Sequence, residues 1–157
     1  MPPSAVLLAA AMATVGWFPG VRAAARAEHV DAATLATLVA VESTGRAWLE
    51  IHEHDGSCSV GLGGVNVPGC EPGRVAELKD PATNLRAAAK HLAAGRRYCA
   101  THPRDRICLR GGAVARYNPG DRHYAARVAA MRRVVVRVMA GHPEAPAARP
   151  SARKRHH

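Results

Sequence analysis

The sequence has few aromatic residues and few runs of β-branched side chains. Aromatic residues make up 4% of the 157 positions, and alanine supplies much of the 48% hydrophobic fraction. Because alanine is the best helix former and strand-type runs are scarce, the composition predicts a mainly α-helical fold. The length suits one domain.

Acidic residues are also scarce, with 12 Asp and Glu against 22 Lys and Arg, which gives a formal net charge of +10. A basic surface attracts polyanions, among them nucleic acid, acidic envelope polymers and acidic lipid surfaces. Charge alone does not choose among these partners. A solvated, arginine-rich surface without a partner explains the same charge.

Signatures of metal and cofactor sites are missing. The nine histidines form no HExxH motif, and the four cysteines form no CxxC pair. We therefore predict neither a metal nor a cofactor. The sequence favours two short disulfide-closed loops over a zinc site that would recruit four separate segments. The predicted pairs are Cys58 with Cys70 and Cys99 with Cys108.

Disulfides persist in oxidising compartments, so the cysteines predict an exported protein, periplasmic or extracellular. Residues 1–16 are a candidate signal peptide. Their apolar run from Ala5 to about Val15 is too short for a membrane span, so no transmembrane anchor is predicted. The sequence Ala11-Met12-Ala13 fits a cleavage site, but no Lys or Arg precedes the run. An ordinary apolar first helix is the alternative.

Residues 17–141 carry helical periodicity and form the predicted domain. Asp80 and Pro81 begin one clear helix, for which Gly95 is the predicted end. A shorter helix is predicted from about residue 110, and a last one after Asp121. Residues 52–74, rich in glycine, are predicted as a long loop or a short hairpin, and loops of this length are usually functional.

The C-terminal residues 142–157 are rich in Pro, Ala and Arg and show no periodicity, which predicts a disordered basic tail. This tail is either a solvated end or a segment that holds the protein on an anionic wall or membrane. Its basic residues are Arg149, Arg153, Lys154 and Arg155.

Glu42 is the most informative residue. A helix capped by Asp31 places Leu35, Leu38 and Val39 on one apolar stripe, and Glu42 continues that stripe at the next turn. Burial disfavours the ionised carboxylate and raises its pKa. A carboxylic acid protonated near neutral pH suits glycosidic-bond cleavage. The alternative is a glutamate that turns out to solvent at the helix end.

Four segments follow one another in a recognisable order. They are Glu42-Ser43 at a helix end, Ser59 before the turn Gly61-Leu62-Gly63-Gly64, Asp80-Pro81-Ala82-Thr83-Asn84-Leu85, and Ala113 to Gly120 with Tyr117-Asn118. In that order they resemble the lytic transglycosylase SLT family, relatives of goose-type lysozyme. The resemblance covers roughly residues 24–131. Each motif alone is weak, and the four together are specific.

The resemblance implies a lysozyme-like helical domain with the glycine-rich loop or hairpin beside a cleft. It also implies cleavage of the MurNAc–GlcNAc bond of peptidoglycan with formation of 1,6-anhydro-MurNAc. Glu42 would act as the acid and then as the base. One carboxylate suffices because the substrate's own hydroxyl is the nucleophile, whereas ordinary glycosidases use two.

Further site residues follow from the same resemblance. Ser43 and Ser59 correspond to hydroxyls beside the sugar, Tyr117 to the tyrosine that hydrogen-bonds around the glutamate, and Asn118 to the residue that holds the turn. The predicted substrate-binding set is Ser43, Ser59, Gly61, Leu62, Asn66, Tyr117 and Asn118. The family turn reads Gly-Leu-Met-Gln, so Gly63 replaces the methionine and Gly64 replaces the glutamine that lines the sugar cleft. Main-chain groups and Asn66 are expected to bind instead.

Three alternatives remain open on the sequence. The first is a goose-type hydrolase, in which Glu50, Glu53 or Asp55 supplies a second carboxylate. The second is a non-catalytic peptidoglycan-binding module. The third is a small nucleic-acid-binding protein. We do not expect this protein to bind a specific nucleic acid. The expected partner is peptidoglycan, with a secretion or conjugation machine as a further candidate.

Overall fold

Helices dominate the structure. This computed structural model describes residues 3–144, in which the secondary structure is mostly helical with one small sheet. The helices are α1 (Pro3–Met12), α2 (Phe18–Ala27), α3 (Ala32–Glu42), α4 (Pro72–Leu78), α5 (Pro81–Thr101), α6 (Arg106–Tyr117) and α7 (Tyr124–Ala140). The strands are β1 (Glu50–His52), β2 (Cys58–Val60) and β3 (Val65–Val67). The mainly helical class is confirmed, and the lysozyme-like arrangement stays a prediction.

Helix α3 begins as the sequence predicts. Asp31 caps it, because the Thr34 N–H donates to Asp31 Oδ2 at 2.8 Å. The stripe of Leu35, Leu38 and Val39 is fully buried and packs in the core between α2 and α7. The helix ends at Glu42, so this side chain stands at the point where the apolar stripe reaches the surface.

Helix α5 also begins as predicted, with the Thr83 N–H donating to Asp80 Oδ2 at 2.8 Å. The predicted end at Gly95 is wrong, because the helix continues to Thr101. Gly95 is buried against α6, and a Cβ there would lie 3.2 Å from both the Ala113 carbonyl oxygen and Arg116 Cβ. Glycine at this position therefore permits close packing of two helices and does not end one.

Helix α6 begins at Arg106, earlier than predicted, and bends at Gly111 and Gly112. Asp105 caps its first turn by accepting from the Ile107 and Cys108 N–H groups at 2.9 and 3.1 Å. The bend lets α6 turn along α5 on one side and α7 on the other. Its last residue, Tyr117, thereby reaches the glycine-rich loop.

Both predicted disulfide pairings are confirmed. Cys58 is joined to Cys70, which links β2 to the turn that follows β3. Cys99 is joined to Cys108, which links the end of α5 to the start of α6. The two bridges fit an exported protein.

The predicted loop at residues 52–74 has more structure than a loop or a hairpin. It carries part of a three-stranded antiparallel sheet in the order β1-β2-β3, followed by α4. Ile51 pairs with Ser59, which pairs in turn with Asn66. The buried valines of β2 and β3, Val60 and Val67, pack on Val75 and Leu78 of α4. Each strand has three residues, too few for a periodic sequence signal.

The N-terminal apolar segment forms α1, which packs against α7 and α3 and buries Ala11 completely. The packed helices of the described residues therefore include residues that precede the predicted domain boundary at residue 17. An apolar helix at this position is compatible with a signal peptide. Taken together, Ser4–Ala27 is long and apolar enough to cross a membrane by length and composition, with 22% of its most apolar window buried.

The first residues of the predicted tail contact α2. Arg22 Nη2 donates to the His142 carbonyl oxygen at 2.6 Å, and Arg26 pairs with Glu144 at 2.5 Å. The disorder predicted for the tail is thus not seen at residues 142–144. The basic residues from Arg149 onward lie outside the described residues.

Candidate active site

Glu42 lies in the wall of an open cleft of about 770 Å³. The side chain is half-buried, because the last turn of α3 carries it from the core to the cleft. The sheet and the segment after β1 form one side, and the end of α6 forms the other. The lining residues are Glu42, Glu53, His54, Asp55, Ser57, Ser59, Gly64, Asn66, His91, Arg116, Tyr117, Asn118 and Pro119.

The pKa of the Glu42 carboxyl is raised, and burial is the largest cause. Two neighbours act in the opposite direction, since the Tyr124 hydroxyl hydrogen-bonds the carboxylate and Arg127 attracts it. The negative charge of Glu53 raises the pKa further. The net shift is upward, the direction that the helical spacing of Glu42 along α3 predicted.

Tyr124, the first residue of α7, holds the Glu42 carboxyl. Its hydroxyl donates to Glu42 Oε1, and its side chain is almost completely buried. Burial and the nearby Glu42 charge raise the pKa of this hydroxyl, so it stays a hydrogen-bond donor. The sequence assigned the contact to Tyr117. Tyr124 follows the last of the four motifs but was not among the predicted site residues, because its position on the apolar face of α7 is typical of a core residue.

Tyr117 has a different partner. Its hydroxyl donates to the Gly63 carbonyl oxygen at 2.7 Å. Its ring lies parallel to that of Tyr124, with centroids 6.4 Å apart. Tyr117 therefore ties the end of α6 to the glycine-rich loop and leaves the carboxyl contact to Tyr124.

Asn84 of α5 holds the glycine-rich loop from behind. The side chain is fully buried and all its hydrogen-bonding groups are used. Asn84 Oδ1 accepts from the Gly63 N–H at 2.8 Å, and Nδ2 donates to the carbonyl oxygens of Val60 and Leu78 at 2.8 and 2.9 Å. Asn84 belongs to a quoted motif, yet it was absent from the predicted site residues.

Glycine is required at positions 63 and 64 because other residues approach the backbone closely there. A Cβ on Gly63 would lie 2.5 Å from Ala88 Cβ and 3.0 Å from the Tyr117 hydroxyl. Gly64 has a φ of +56°, and its Cβ would lie 2.8 Å from Glu42 Oε2. The methionine and glutamine of the family turn thus have no room here unless neighbours shift. The loop brings its backbone directly onto the acid.

The predicted substrate-binding residues divide into two groups. Ser59, Asn66, Tyr117 and Asn118 line the cleft. Ser59 Oγ donates to Glu53 Oε1 at 2.7 Å, and Asn66 Nδ2 donates to Ser57 Oγ at 2.7 Å. Ser59 on β2 and Asn66 on β3 thus form a polar wall across neighbouring strands.

Ser43, Gly61 and Leu62 lie behind that wall. Ser43 is buried, and its Oγ lies within hydrogen-bond distance of the carbonyl oxygens of Val39 and Leu62, at 3.0 and 2.8 Å. Leu62 is fully buried in the main core, and Gly61 packs on the Asn84 side chain. The three residues position the loop and do not face the cleft.

Of the acidic residues proposed for a hydrolase, two line the cleft and one does not. Glu53 and Asp55 line the cleft with Glu42. The Ser57 side chain and N–H hydrogen-bond Asp55 and lower its pKa, so this carboxylate holds a local turn. Glu50 is paired with Lys79 at 2.7 Å and with His52 at 3.1 Å, and it does not line the cleft.

One group of potential metal ligands comes together in the described residues. His52 Nδ1 lies 3.5 Å from Cys58 Sγ and 3.6 Å from Cys70 Sγ. The two sulfurs are joined in a disulfide, so neither is a thiolate that can bind a metal. We assign no metal to this group.

Comparison with known proteins adds no relative. No protein-family model, no curated protein and no solved structure matches the chain. The likeness to the SLT family therefore rests on the four sequence motifs and stays a prediction.

Proposed function

We propose that this protein is a peptidoglycan lytic transglycosylase that cleaves the MurNAc–GlcNAc bond and leaves a 1,6-anhydro-MurNAc end. The observation that carries the proposal is the Glu42 carboxyl, half-buried in a cleft, with a raised pKa and a tyrosine hydroxyl on one oxygen. A raised pKa increases the fraction of the carboxyl that carries the proton needed by the leaving sugar oxygen. The cleft volume of about 770 Å³ accommodates sugar units.

The proposed reaction has two proton transfers through Glu42. The carboxylic acid first protonates the glycosidic oxygen, and the bond from that oxygen to the muramic acid C1 breaks. The resulting carboxylate then removes the proton from the muramic acid 6-hydroxyl, whose oxygen bonds to C1. Glu42 regains its proton and no water is consumed. The Tyr124 hydroxyl stabilises the carboxylate between the two steps.

Two observations support a cell-envelope location. The two disulfides suit an oxidising compartment, and α1 is compatible with a signal peptide. We propose an exported protein that acts on peptidoglycan strands. Its use by a secretion or conjugation machine stays a prediction.

Goose-type hydrolysis of the same bond is the alternative that one observation favours. Glu53 lines the cleft with Glu42, and its charge raises the Glu42 pKa. A second carboxylate in this position would orient a water for attack on C1. The two reactions differ in their products, because hydrolysis leaves a reducing end and the transglycosylase leaves an anhydro end.

The test is a digest of purified peptidoglycan, with the released muropeptides identified by mass spectrometry. Wild type is compared with Glu42→Gln and with Glu50→Gln, a matched control outside the cleft. The proposal expects anhydro-muropeptides from wild type and Glu50→Gln and none from Glu42→Gln. Reducing-end products that disappear in Glu53→Gln would establish the hydrolase instead. Binding without cleavage by wild type would indicate a non-catalytic module.

Glu42→Gln is expected to fold normally. The raised pKa means that the folded protein favours the neutral carboxyl. This contribution to stability is complete below the ordinary carboxyl pKa and is lost as the pH rises through the raised value. Glutamine is neutral at every pH, so the variant should be at least as stable as wild type near neutral pH. Lost activity would then report lost chemistry.

A further inference from the structure

A second groove of about 570 Å³ lies next to the candidate active site. It runs between α4 and α5, and Val65 of β3 forms part of its wall. His91 of α5 lines both this groove and the cleft that contains Glu42. The two depressions therefore adjoin at His91.

The connection passes along two elements. On β3, Val65 lines the second groove and the next residue, Asn66, lines the cleft. On α5, the His91 ring lies against the Tyr117 ring, with centroids 4.9 Å apart. Because successive side chains of a strand point to opposite faces, β3 stands between the two depressions, and they adjoin at the exposed imidazole of His91.

The second groove is positively charged. Arg74 is paired with Glu77 at 2.5 Å, so these two lining charges cancel. Arg86 and Lys90 are exposed and lie four residues apart on α5, on the same helix face. Within residues 3–144, neither forms a salt bridge with a carboxylate. Two cations thus face the groove with their charge uncompensated.

The wall also has an apolar part. Val65, Ala82 and Ala87 line the groove beside the cations. A ligand that fits this groove has negative groups for the two cations and small apolar side chains for the apolar wall. The stem peptide of peptidoglycan has this chemistry, because it carries free carboxylates between alanine methyl groups. It is also covalently attached to the muramic acid of the glycan.

We infer that the groove around Arg86 and Lys90 binds the carboxylates of the stem peptide while the glycan lies in the Glu42 cleft. The inference rests on the proposed function for the nature of the glycan. A free polyanion such as a teichoic acid would also meet the two cations. Unlike a free polyanion, the stem peptide is covalently attached to the sugar in the neighbouring cleft.

Binding is measured in the Glu42→Gln background, which prevents turnover, by titration calorimetry with two tetrasaccharide probes. One probe carries stem tetrapeptides and the other is the same glycan with its peptides removed. The tested variant is Arg86→Gln/Lys90→Gln. The matched control is Arg97→Gln, an exposed arginine of α5 that does not line the groove.

The parent and Arg97→Gln should prefer the peptide-bearing probe by about three- to tenfold, the effect expected of two exposed ion pairs. Arg86→Gln/Lys90→Gln should bring that ratio close to one. Amidation of the peptide carboxylates should do the same in the parent. An equal ratio in all three proteins would overturn the inference, and so would the absence of any preference in the parent.

The two proposals fail separately. A peptide preference that depends on Arg86 and Lys90, in a protein whose wild type releases no cleavage product, would support the groove and refute the enzyme. Anhydro products from wild type, with a ratio that the substitutions leave unchanged, would do the reverse. Tight binding of teichoic acid that excludes the peptide-bearing probe would also overturn the stem-peptide assignment.

Discussion

Gly64→Ala, compared with Gly69→Ala, separates the cost of a positive φ from the displacement of Glu42 by the added methyl group. Both Gly64 and Gly69 have a positive φ, +56° and +63°. An alanine at either position costs about 1–2 kcal/mol for the left-handed conformation, partly offset by about 0.4–1 kcal/mol from a less flexible unfolded chain. Gly69→Ala is a matched control, because no atom lies within 4 Å of its added Cβ.

At Gly64 the added methyl meets Glu42 itself, at 2.8 Å from Oε2 and 3.1 Å from Cβ. Overpacking of this kind costs a further ~1–3 kcal/mol. We therefore expect Gly69→Ala to lose about 1 kcal/mol of unfolding free energy and Gly64→Ala about 2–4 kcal/mol. Glu42 must move to relieve the contact, and a shift approaching 1 Å at a reacting group costs up to about 10²-fold in rate.

Urea denaturation measures the first quantity, and release of muropeptides from peptidoglycan measures the second. Gly69→Ala should keep wild-type activity within about twofold, whereas Gly64→Ala should lose at least about tenfold. If both variants kept the same activity, the loop would not set the position of the acid, and the geometry argued above would be wrong.

Three further outcomes are expected. Tyr124→Phe removes a hydrogen bond that lowers the Glu42 pKa, so the alkaline limb of the pH–rate profile should move to higher pH. Glu53→Gln removes a charge that raises the Glu42 pKa, so the alkaline limb should move to lower pH. If both substitutions moved the limb in the same direction, the assignment of the limb to Glu42 would be wrong. Asn84→Ala removes three buried hydrogen bonds and should lose about 3–5 kcal/mol in urea denaturation, against roughly 1 kcal/mol for Asn66→Ala, which removes one. Equal losses would mean that Asn84 does not hold the loop.

The starts of α3 and α5 were readable from the sequence because they depend on local chemistry. Asp31 and Asp80 each accept a hydrogen bond from the residue three positions ahead, and a short polar side chain before an apolar stripe predicts that geometry. The position of Glu42 at the end of its stripe followed from helical spacing alone. The disulfide pairs followed from the short loops that they close.

The unpredicted features depend on contacts between distant segments. Gly95 has the composition of a helix end but serves the packing of α6 on α5. Tyr124 has the pattern of a core residue, and only the approach of α7 to α3 places its hydroxyl on Glu42. The roles of Asn84 and Ser43 behind the loop likewise depend on tertiary folding. A single sequence carries no signal for such approaches.

The bridge between Cys99 and Cys108 adds a covalent link to two helices, α5 and α6, that also pack against each other at Gly95. The disulfide fastens the helices at one end, and His91 and Tyr117 meet toward the other, beside the cleft. At about 1.5 Å per residue, Asn84 lies about 22 Å along α5 from Cys99. The turn at residues 102–105 therefore lies beyond the fastened end. A fluorophore, an affinity handle or a fused domain attached there would lie away from the cleft that contains Glu42.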